Sequence, residues 1–301
     1  MIWVIGSSGM LGTELVELCK TQGVDYIGSD KDVSILEPEA LQGFLASLVE
    51  KGQKPDWIVN CAAYTAVDKA EDEPERCYAL NAQGPENVGR VAQAFGVRVL
   101  HISTDYVFAG NGTRPYREDD PVAPQSVYGT TKAEGEALLF GTCPHAVIVR
   151  TAWLYGHHGP NFVATMLKLM NTRDSVGVVV DQKGSPTWAR DLAAAILNIV
   201  GKPDAQAGIY HFTDEGEITW FEFAKAIYAQ GRELGLIGHE CEIRPLTTAE
   251  YPTKAKRPAY SVLSKEKIKA IFGVPVSEWR ESLTRYLREE AQQERAKRGQ
   301  R

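Results

Sequence analysis

Through the first half of the chain, short apolar runs of the strand type alternate with longer stretches whose apolar residues recur every three or four positions. The strand-type runs are Ile2–Ile5, Val24–Gly28, Trp57–Asn60, Val97–Ile102 and Ala146–Arg150. Between them lie helical patterns at Leu11–Lys20, Pro38–Glu50, Pro74–Phe95 and Lys132–Phe140. Regular alternation of this kind predicts βαβ units, and right-handed crossovers then place helices on both faces. The expected fold class is α/β, a Rossmann-type doubly wound parallel sheet with a smaller α/β C-terminal lobe.

Past Ala152 the alternation loosens into helical patterns at 161–171, 191–200 and 220–233, separated by loops rich in Gly and Pro. The expected boundaries are a first domain over 1–152 joined by returning segments of the second half, and a lobe over 153–288. The tail 289–301 is highly charged and lacks large apolar residues, which predicts fraying.

Composition narrows the setting without changing the fold. At 301 residues, 44% hydrophobic and 24% charged, the chain has ordinary globular values. A net charge of −6 gives no basic field for nucleic acid, so none is expected as a partner. The five cysteines are scattered and never form CxxC, against both a disulfide framework and a zinc site. With no stretch near the ~20 apolar residues of a spanning helix and no signal pattern after Met1, the expectation is a cytoplasmic protein away from membranes.

The candidate chemistry begins where the first strand ends. Gly6, Gly9 and Gly12 stand as GxxGxxG around Met10 and Leu11, where a helical pattern opens. Glycines there permit a tight turn and close backbone approach to a pyrophosphate, whose charge the helix N-terminus favours. Asp30, after the second strand, suits an adenosine ribose, whereas Lys31 beside it suits a 2'-phosphate, so NADH and NADPH both fit. Asp32 and Val33 are placed to border the adenine, although Asp32 reads equally well as a solvated loop residue. The small residues of Ala62-Ala63-Tyr64-Thr65 leave room for a cofactor over the carboxyl edge of the sheet.

Tyr128 and Lys132 are four apart at the start of a helical pattern, hence on one helical face. A nearby ammonium favours phenolate, which would bring a tyrosine into range as a proton donor to a carbonyl. Thr104 emerges at the end of the fourth strand, where its hydroxyl can polarise the same oxygen.

These residues lie in GSSGMLG (6–12), NCAAYTAVDKAE (60–71), STDYVFAG (103–110), VYGTTKAEGE (127–136), RTAWLYG (150–156), GSPTWARDL (184–192) and YPTKAKRPAYSVL (251–263). The ordered set closely resembles the dTDP-4-dehydrorhamnose reductases, within the extended short-chain dehydrogenases, over nearly the whole chain. The resemblance implies an NADPH- or NADH-dependent enzyme with Thr104, Tyr128 and Lys132 in catalysis. It also implies reduction of the 4-keto group of a dTDP-sugar, the step that yields dTDP-L-rhamnose for surface polysaccharide, with Val67, Asp105 and Trp153 at the sugar.

Tyr106 stands where the related 4,6-dehydratases carry a glutamate, which disfavours elimination and leaves ketone reduction. The guanidinium fork of Arg257 suits a diphosphate. His157 and His158, adjacent on a Gly-rich loop, read as solvated rather than as metal ligands. Some members of the family dimerise around a divalent metal held by glutamates, one of them in the motif matching GSPTWAR. Arg190 occupies that position, and its fixed charge opposes a cation. No metal is therefore expected, and the chain is expected to be a monomer or weak homodimer. Two other readings keep the same residues: a reductase of another 4-keto-6-deoxy nucleotide sugar, and a non-catalytic NADP-binding regulatory subunit of methionine adenosyltransferase.

Overall fold

In the computed structural model, which describes residues 1–299, six parallel strands form the central sheet. In chain order the first half runs β1 (Ile2–Ile5), α1 (Met10–Gln22), β2 (Tyr26–Ser29), α2 (Pro38–Glu50), β3 (Trp57–Asn60), α3 (Val67–Ala70) and α4 (Pro74–Tyr78), then a π-helical turn at Ala79–Gln83. It continues with α5 (Gly84–Phe95), β4 (Arg98–Thr104), α6 (Val127–Thr142) and β5 (Val147–Thr151). The second half adds β6 (Leu154–Tyr155), α7 (Phe162–Met170), β7 (Ser175–Val179), β8 (Lys183–Gly184), β9 (Thr187–Trp188) and α8 (Ala189–Val200). It ends with β10 (Gly208–His211), β11 (Ile218–Thr219), α9 (Trp220–Glu233), β12 (Glu242–Leu246), α10 (Glu266–Phe272) and α11 (Trp279–Gly299).

The sheet order is β10-β5-β4-β3-β1-β2. Both faces are covered, which explains why strands such as β1 are apolar at consecutive rather than alternate positions. Ile2 and Val4 face Leu11, Leu15, Leu192 and Ile196 of α1 and α8. Trp3 and Ile5 face Leu41, Val88 and Leu139 of α2, α5 and α6. Parallel register sets Asn60 beside His101 and Thr104 beside Thr151, so the carboxyl ends of β3, β4 and β5 finish at one edge.

The helix expected over Pro74–Phe95 contains the π turn. Pro85 has no N–H to return to the carbonyl four residues earlier, so the ladder widens there. The Asn81 carbonyl instead packs against α6 at Gly135, and the Asn81 side chain is turned inward, fully buried.

In the second half, β7 and β12 pair in parallel, and α7, α9 and α11 close over them around Met166, Phe223, Ile227 and Leu283. Thr219 and Glu222 start α9 with a reciprocal capping box. β10 returns to the first half's sheet beside β5, and α8 packs there on the sheet with α1.

The expected fraying from Glu289 onward is corrected as far as residue 299, because α11 is continuous to Gly299; residues 300 and 301 lie outside the described residues. Its charged start has partners. Glu289 meets Arg190 at 2.8 Å, and Glu289 and Glu290 meet His157 at 3.0 and 2.6 Å. His157 is correspondingly buried, not solvated, and its ring stacks on Tyr286 at 4.6 Å; His158 is exposed at 40%.

Burial opposes the charged His157 ring, but the hydrogen bond and charge of Glu290 outweigh it and hold the imidazole above its ordinary value. The stabilisation is therefore complete below the unfolded value of about 6.5 and is lost as pH rises through the elevated folded one. His157→Gln should lower the melting temperature most near pH 6, with the gap to wild type closing at alkaline pH. A gap that stays constant across that range in differential scanning fluorimetry would show that His157 contributes by packing alone.

Candidate active site

The cofactor end is built from backbone. Gly6 leaves β1 at φ +78°, and a Cβ on Gly12 would stand 2.0 Å from the Gly6 carbonyl oxygen, so the turn closes only with glycine. Gly9 caps α1 with no side chain bonded to its first-turn N–H groups, which leaves the helix terminus open to an anion. That terminus opens on a cleft of about 650 Å³ at the carboxyl edge of the sheet. Gly6, Gly9, Met10, Leu11, Asp30, Lys31, Ala62, Ala63 and Thr65 line it.

Four expected cofactor residues stand behind that lining. Gly12 packs under the turn. Asp32 accepts from the Asp30 N–H at 2.7 Å and shapes the loop, while Val33 is buried in the core near Trp3 and Ile35. Tyr64 is held from behind. Its N–H donates to Asn81 Oδ1 at 2.8 Å, its carbonyl accepts from Asn81 Nδ2 at 3.0 Å, and its hydroxyl donates to Glu73 at 2.9 Å. Asp30 itself accepts from Ser7 Oγ at 3.0 Å and the Ser8 N–H at 3.2 Å, so its carboxylate braces the glycine turn.

Strand β4 delivers Thr104, and α6, capped by Ser126 Oγ accepting from the Gly129 N–H at 3.1 Å, delivers Tyr128 and Lys132 to the same cleft. Burial pushes the Tyr128 phenol well above its ordinary value, with the neighbouring Thr104 hydroxyl acting against the shift. The neighbours acting on it are Thr104, Asp105, Tyr106 and Cys77. The expectation that the Lys132 cation activates Tyr128 directly is thus corrected for this arrangement: Lys132 Nζ is turned to β4, donating to the Ile102 carbonyl at 2.6 Å and lying 3.2 Å from His101 Nε2. Burial lowers Lys132 to about 8.

Thr104 Oγ1 donates to Asp105 Oδ1 at 2.9 Å and accepts from the Tyr106 N–H at 3.3 Å. The other Asp105 oxygen is buried without a hydrogen-bond partner among the described residues, and burial pushes this carboxyl up to about 6. An unpaired buried acceptor at a cleft suits a ligand hydroxyl.

Asp105, Tyr106 and Trp153 also line a second cavity of about 520 Å³ reaching into the C-terminal lobe. Trp153 has φ +48°, a costly conformation for a large side chain. Stacking on Trp220 at 3.5 Å, in an interplanar angle of 10°, holds it there. Phe162, Met166, Val176 and Val178 extend the apolar wall, and Arg173 and Gln182 supply polar groups. Arg257 lines this cavity, donating to the Tyr106 hydroxyl at 2.9 Å and pairing with Asp68 at 2.5 Å; Val67 lies on the cofactor side.

Reading the sequence missed Trp220, Phe162, Gln182, Asn81 and His101. For His101 a signal existed, a histidine between Leu100 and Ile102 in a run that is apolar from Val99 onward. For the others none did, because they reach the site only through tertiary packing.

A Cβ on Gly184 would meet the Trp153 ring at 2.4 Å. Gly184→Ala should displace the indole and raise KM for a substrate held in the second cavity by about tenfold, since small misplacements of positioning groups are costly. Affinity for a ligand at the glycine turn should be unchanged. Steady-state kinetics checks this, and an unaltered KM would mean that Trp153 does not touch substrate.

A glycine turn at a helix N-terminus, a tyrosine and a lysine one helical turn apart, and a strand-end threonine on a doubly wound sheet define an oxidoreductase of the extended short-chain dehydrogenase class. The model of the RmlD substrate binding domain family matches residues 1–292, and the chain belongs to that family. It is 41% identical over 289 residues to the spore coat polysaccharide biosynthesis protein SpsK of Bacillus subtilis, covering 96% of this chain and 97% of that one. It is 42% identical to a dTDP-4-dehydrorhamnose reductase of Streptomyces griseus, covering 94% and 91%. The crystal structure of dTDP-4-dehydrorhamnose reductase from Bacillus anthracis in complex with NADP superposes with a TM-score of 0.88 at 34% identity, covering 96% of this chain and 98% of that one.

Proposed function

We propose that this chain is a dTDP-4-dehydrorhamnose reductase, reducing the 4-keto group of dTDP-4-dehydro-L-rhamnose to give dTDP-L-rhamnose for polysaccharide biosynthesis. The observation that carries the reading is the shared lining. Asp105, Tyr106 and Trp153 line both the glycine-turn cleft and the apolar cavity of the second lobe, with Thr104 and Tyr128 beside them on the cleft side. The fit to a dinucleotide rests on the tight turn that Gly6 and Gly12 permit, where any Cβ would collide with neighbouring backbone, and on the open helix terminus at Gly9.

A bound NADPH or NADH supplies the hydride that becomes the new C–H bond at carbon four. Tyr128 gives its phenolic proton to the carbonyl oxygen, completing the alcohol. Thr104 turns its hydroxyl from Asp105 to the same oxygen and holds it in line. Asp105, released from Thr104, accepts a sugar hydroxyl. Arg257 exchanges Asp68 for the diphosphate, where two parallel charged hydrogen bonds form. Tyr106 offers no carboxylate, so no proton leaves carbon five and water is not eliminated.

Incubating the protein with dTDP-4-dehydrorhamnose and each nicotinamide cofactor separately, and following the loss of reduced-cofactor absorbance, tests substrate, reaction and cofactor together. Turnover of only a different 4-keto-6-deoxy nucleotide sugar would reassign the substrate. Tight NADP binding with no turnover of any sugar nucleotide would favour a regulatory subunit.

No helix among the described residues is long and apolar enough to cross a membrane, and all five cysteines are free, which supports placing the enzyme in the cytoplasm. At the position where a metal-bridged dimer would need a glutamate, Arg190 pairs with Glu14 at 2.9 Å and Glu17 at 3.2 Å. Each glutamate thereby meets a cation of its own chain through one carboxylate oxygen, which supports a monomer or weak homodimer.

A further inference from the structure

Lys132 ends on a chain of buried polar groups that the reduction does not by itself require. The Ala62 N–H donates to Asn60 Oδ1 at 3.1 Å. A backbone N–H can only donate, so this contact fixes the amide and turns Asn60 Nδ2 to His101 Nδ1, 3.1 Å away. An amide nitrogen is likewise only a donor, so His101 Nδ1 accepts. Burial holds the imidazole neutral. Its single proton therefore sits on Nε2, the nitrogen 3.2 Å from Lys132 Nζ.

That N–H faces Lys132, and an ammonium has no lone pair to accept it. An uncharged amine does, and it still keeps an N–H for the Ile102 carbonyl at 2.6 Å. His101, Asn60 and Lys132 are all buried, with exposures of 0%, 1% and 2%, so the mismatch of two donors is not relieved at the surface.

We propose that His101, its tautomer fixed by Asn60, is a positioning residue that parks Lys132 as an uncharged amine against β4, and that protonation of Lys132 breaks this contact and frees the ammonium for the cleft beside Tyr128. The proton comes from solvent hydronium, which leaves as neutral water, forms a third N–H bond on Nζ and removes the lone pair that accepted from His101. The charged and titratable groups around Lys132 are Glu136 and Tyr128 on α6, Cys77 on α4, Cys61 after β3, and Arg150 on β5 through Glu136. Burial holds both thiols protonated, Cys61 at about 12, and Arg150 neutralises Glu136. His101 is thus the nearest group that distinguishes the two states of Lys132.

The first test is a pH titration of the wild-type protein labelled with nitrogen-15 lysine, Lys132 being assigned by its loss in Lys132→Arg. Lys132 is expected to titrate at least about one pH unit below the surface lysines. His101→Phe removes the N–H donor and should move the Lys132 midpoint up. The alkaline limb of kcat/KM moves with it, raising the activity retained at pH 9 relative to pH 7 at least about threefold. Asn60→Asp protonates His101 at Nδ1, makes Nε2 an acceptor for ammonium and should shift both in the same direction.

A Lys132 midpoint level with the surface lysines in the wild type overturns the proposal, whether or not the variants fold. So do variants that lower kcat at every pH with the limb in place. Only the limb depends on the reductase reading: a depressed Lys132 midpoint without sugar-nucleotide turnover would overturn that reading and leave the role of His101 standing.

Discussion

Tyr128→Phe lowers turnover of the 4-keto sugar nucleotide by about 10²- to 10⁴-fold, the range that a positioned proton donor contributes. The substitution removes one oxygen from a buried ring and leaves its edge contact with Tyr106, at 5.4 Å, in place. Affinity for NADPH, measured by fluorescence, should change by no more than about twofold, because the cofactor cradle is made by Gly6, Gly9 and Gly12. The loss therefore appears in kcat and kcat/KM together. A variant that keeps roughly wild-type turnover removes Tyr128 from the proton-donor role and with it the assignment of the reaction.

Arg150→Met has the largest effect on stability. Arg150 and Glu136 form a two-pronged ion pair at 2.9 and 2.6 Å with side-chain exposures of 1% and 5%, and Ser103 Oγ donates to the same carboxylate at 2.5 Å. The guanidinium also lies over the Phe108 ring at 4.9 Å. Removing one partner leaves the other charge uncompensated in the interior, at a cost of about 3–5 kcal/mol. For a chain of this length that corresponds to a fall in Tm of roughly 5–8 °C. The double variant Arg150→Met with Glu136→Leu should recover much of the loss, since no lone charge then remains buried. A double variant as unstable as Arg150→Met alone would show that shape, rather than the unpaired carboxylate, sets the cost.

The sequence was most legible where local pattern and fold agree. β1, β3, α2 and α9 lie where the apolar periodicity predicts them, and the glycine turn falls between strand and helix as its spacing requires. Thr104, Tyr128 and Lys132 likewise reach one cleft. Legibility failed where a polar residue answers to a distant partner. Nothing local to Glu289 and Glu290 announces His157 and Arg190, so a charged tail reads as frayed and a histidine pair as solvated. Pro85 was visible, but the π turn it permits, and the inward Asn81 that braces Tyr64, depend on α6 approaching at Gly135.

What the sequence by itself determined is the doubly wound sheet, the glycine turn and the candidates Thr104, Tyr128 and Lys132 that meet at one cleft, because strand and helix periods, turn glycines and a four-residue spacing are local properties of a chain. What only the tertiary structure decided is how those residues are poised. The Tyr128 phenol and Lys132 amine are set by burial and by Asn60, His101, Asp105 and Glu136, brought from β3, β4 and α6 to one edge of the sheet. The shape of the second cavity depends on Trp153 held between Gly184 and Trp220. Desolvation and hydrogen-bond direction arise only when segments far apart in sequence exclude water together, and they decide which of the groups at the cleft carries a proton.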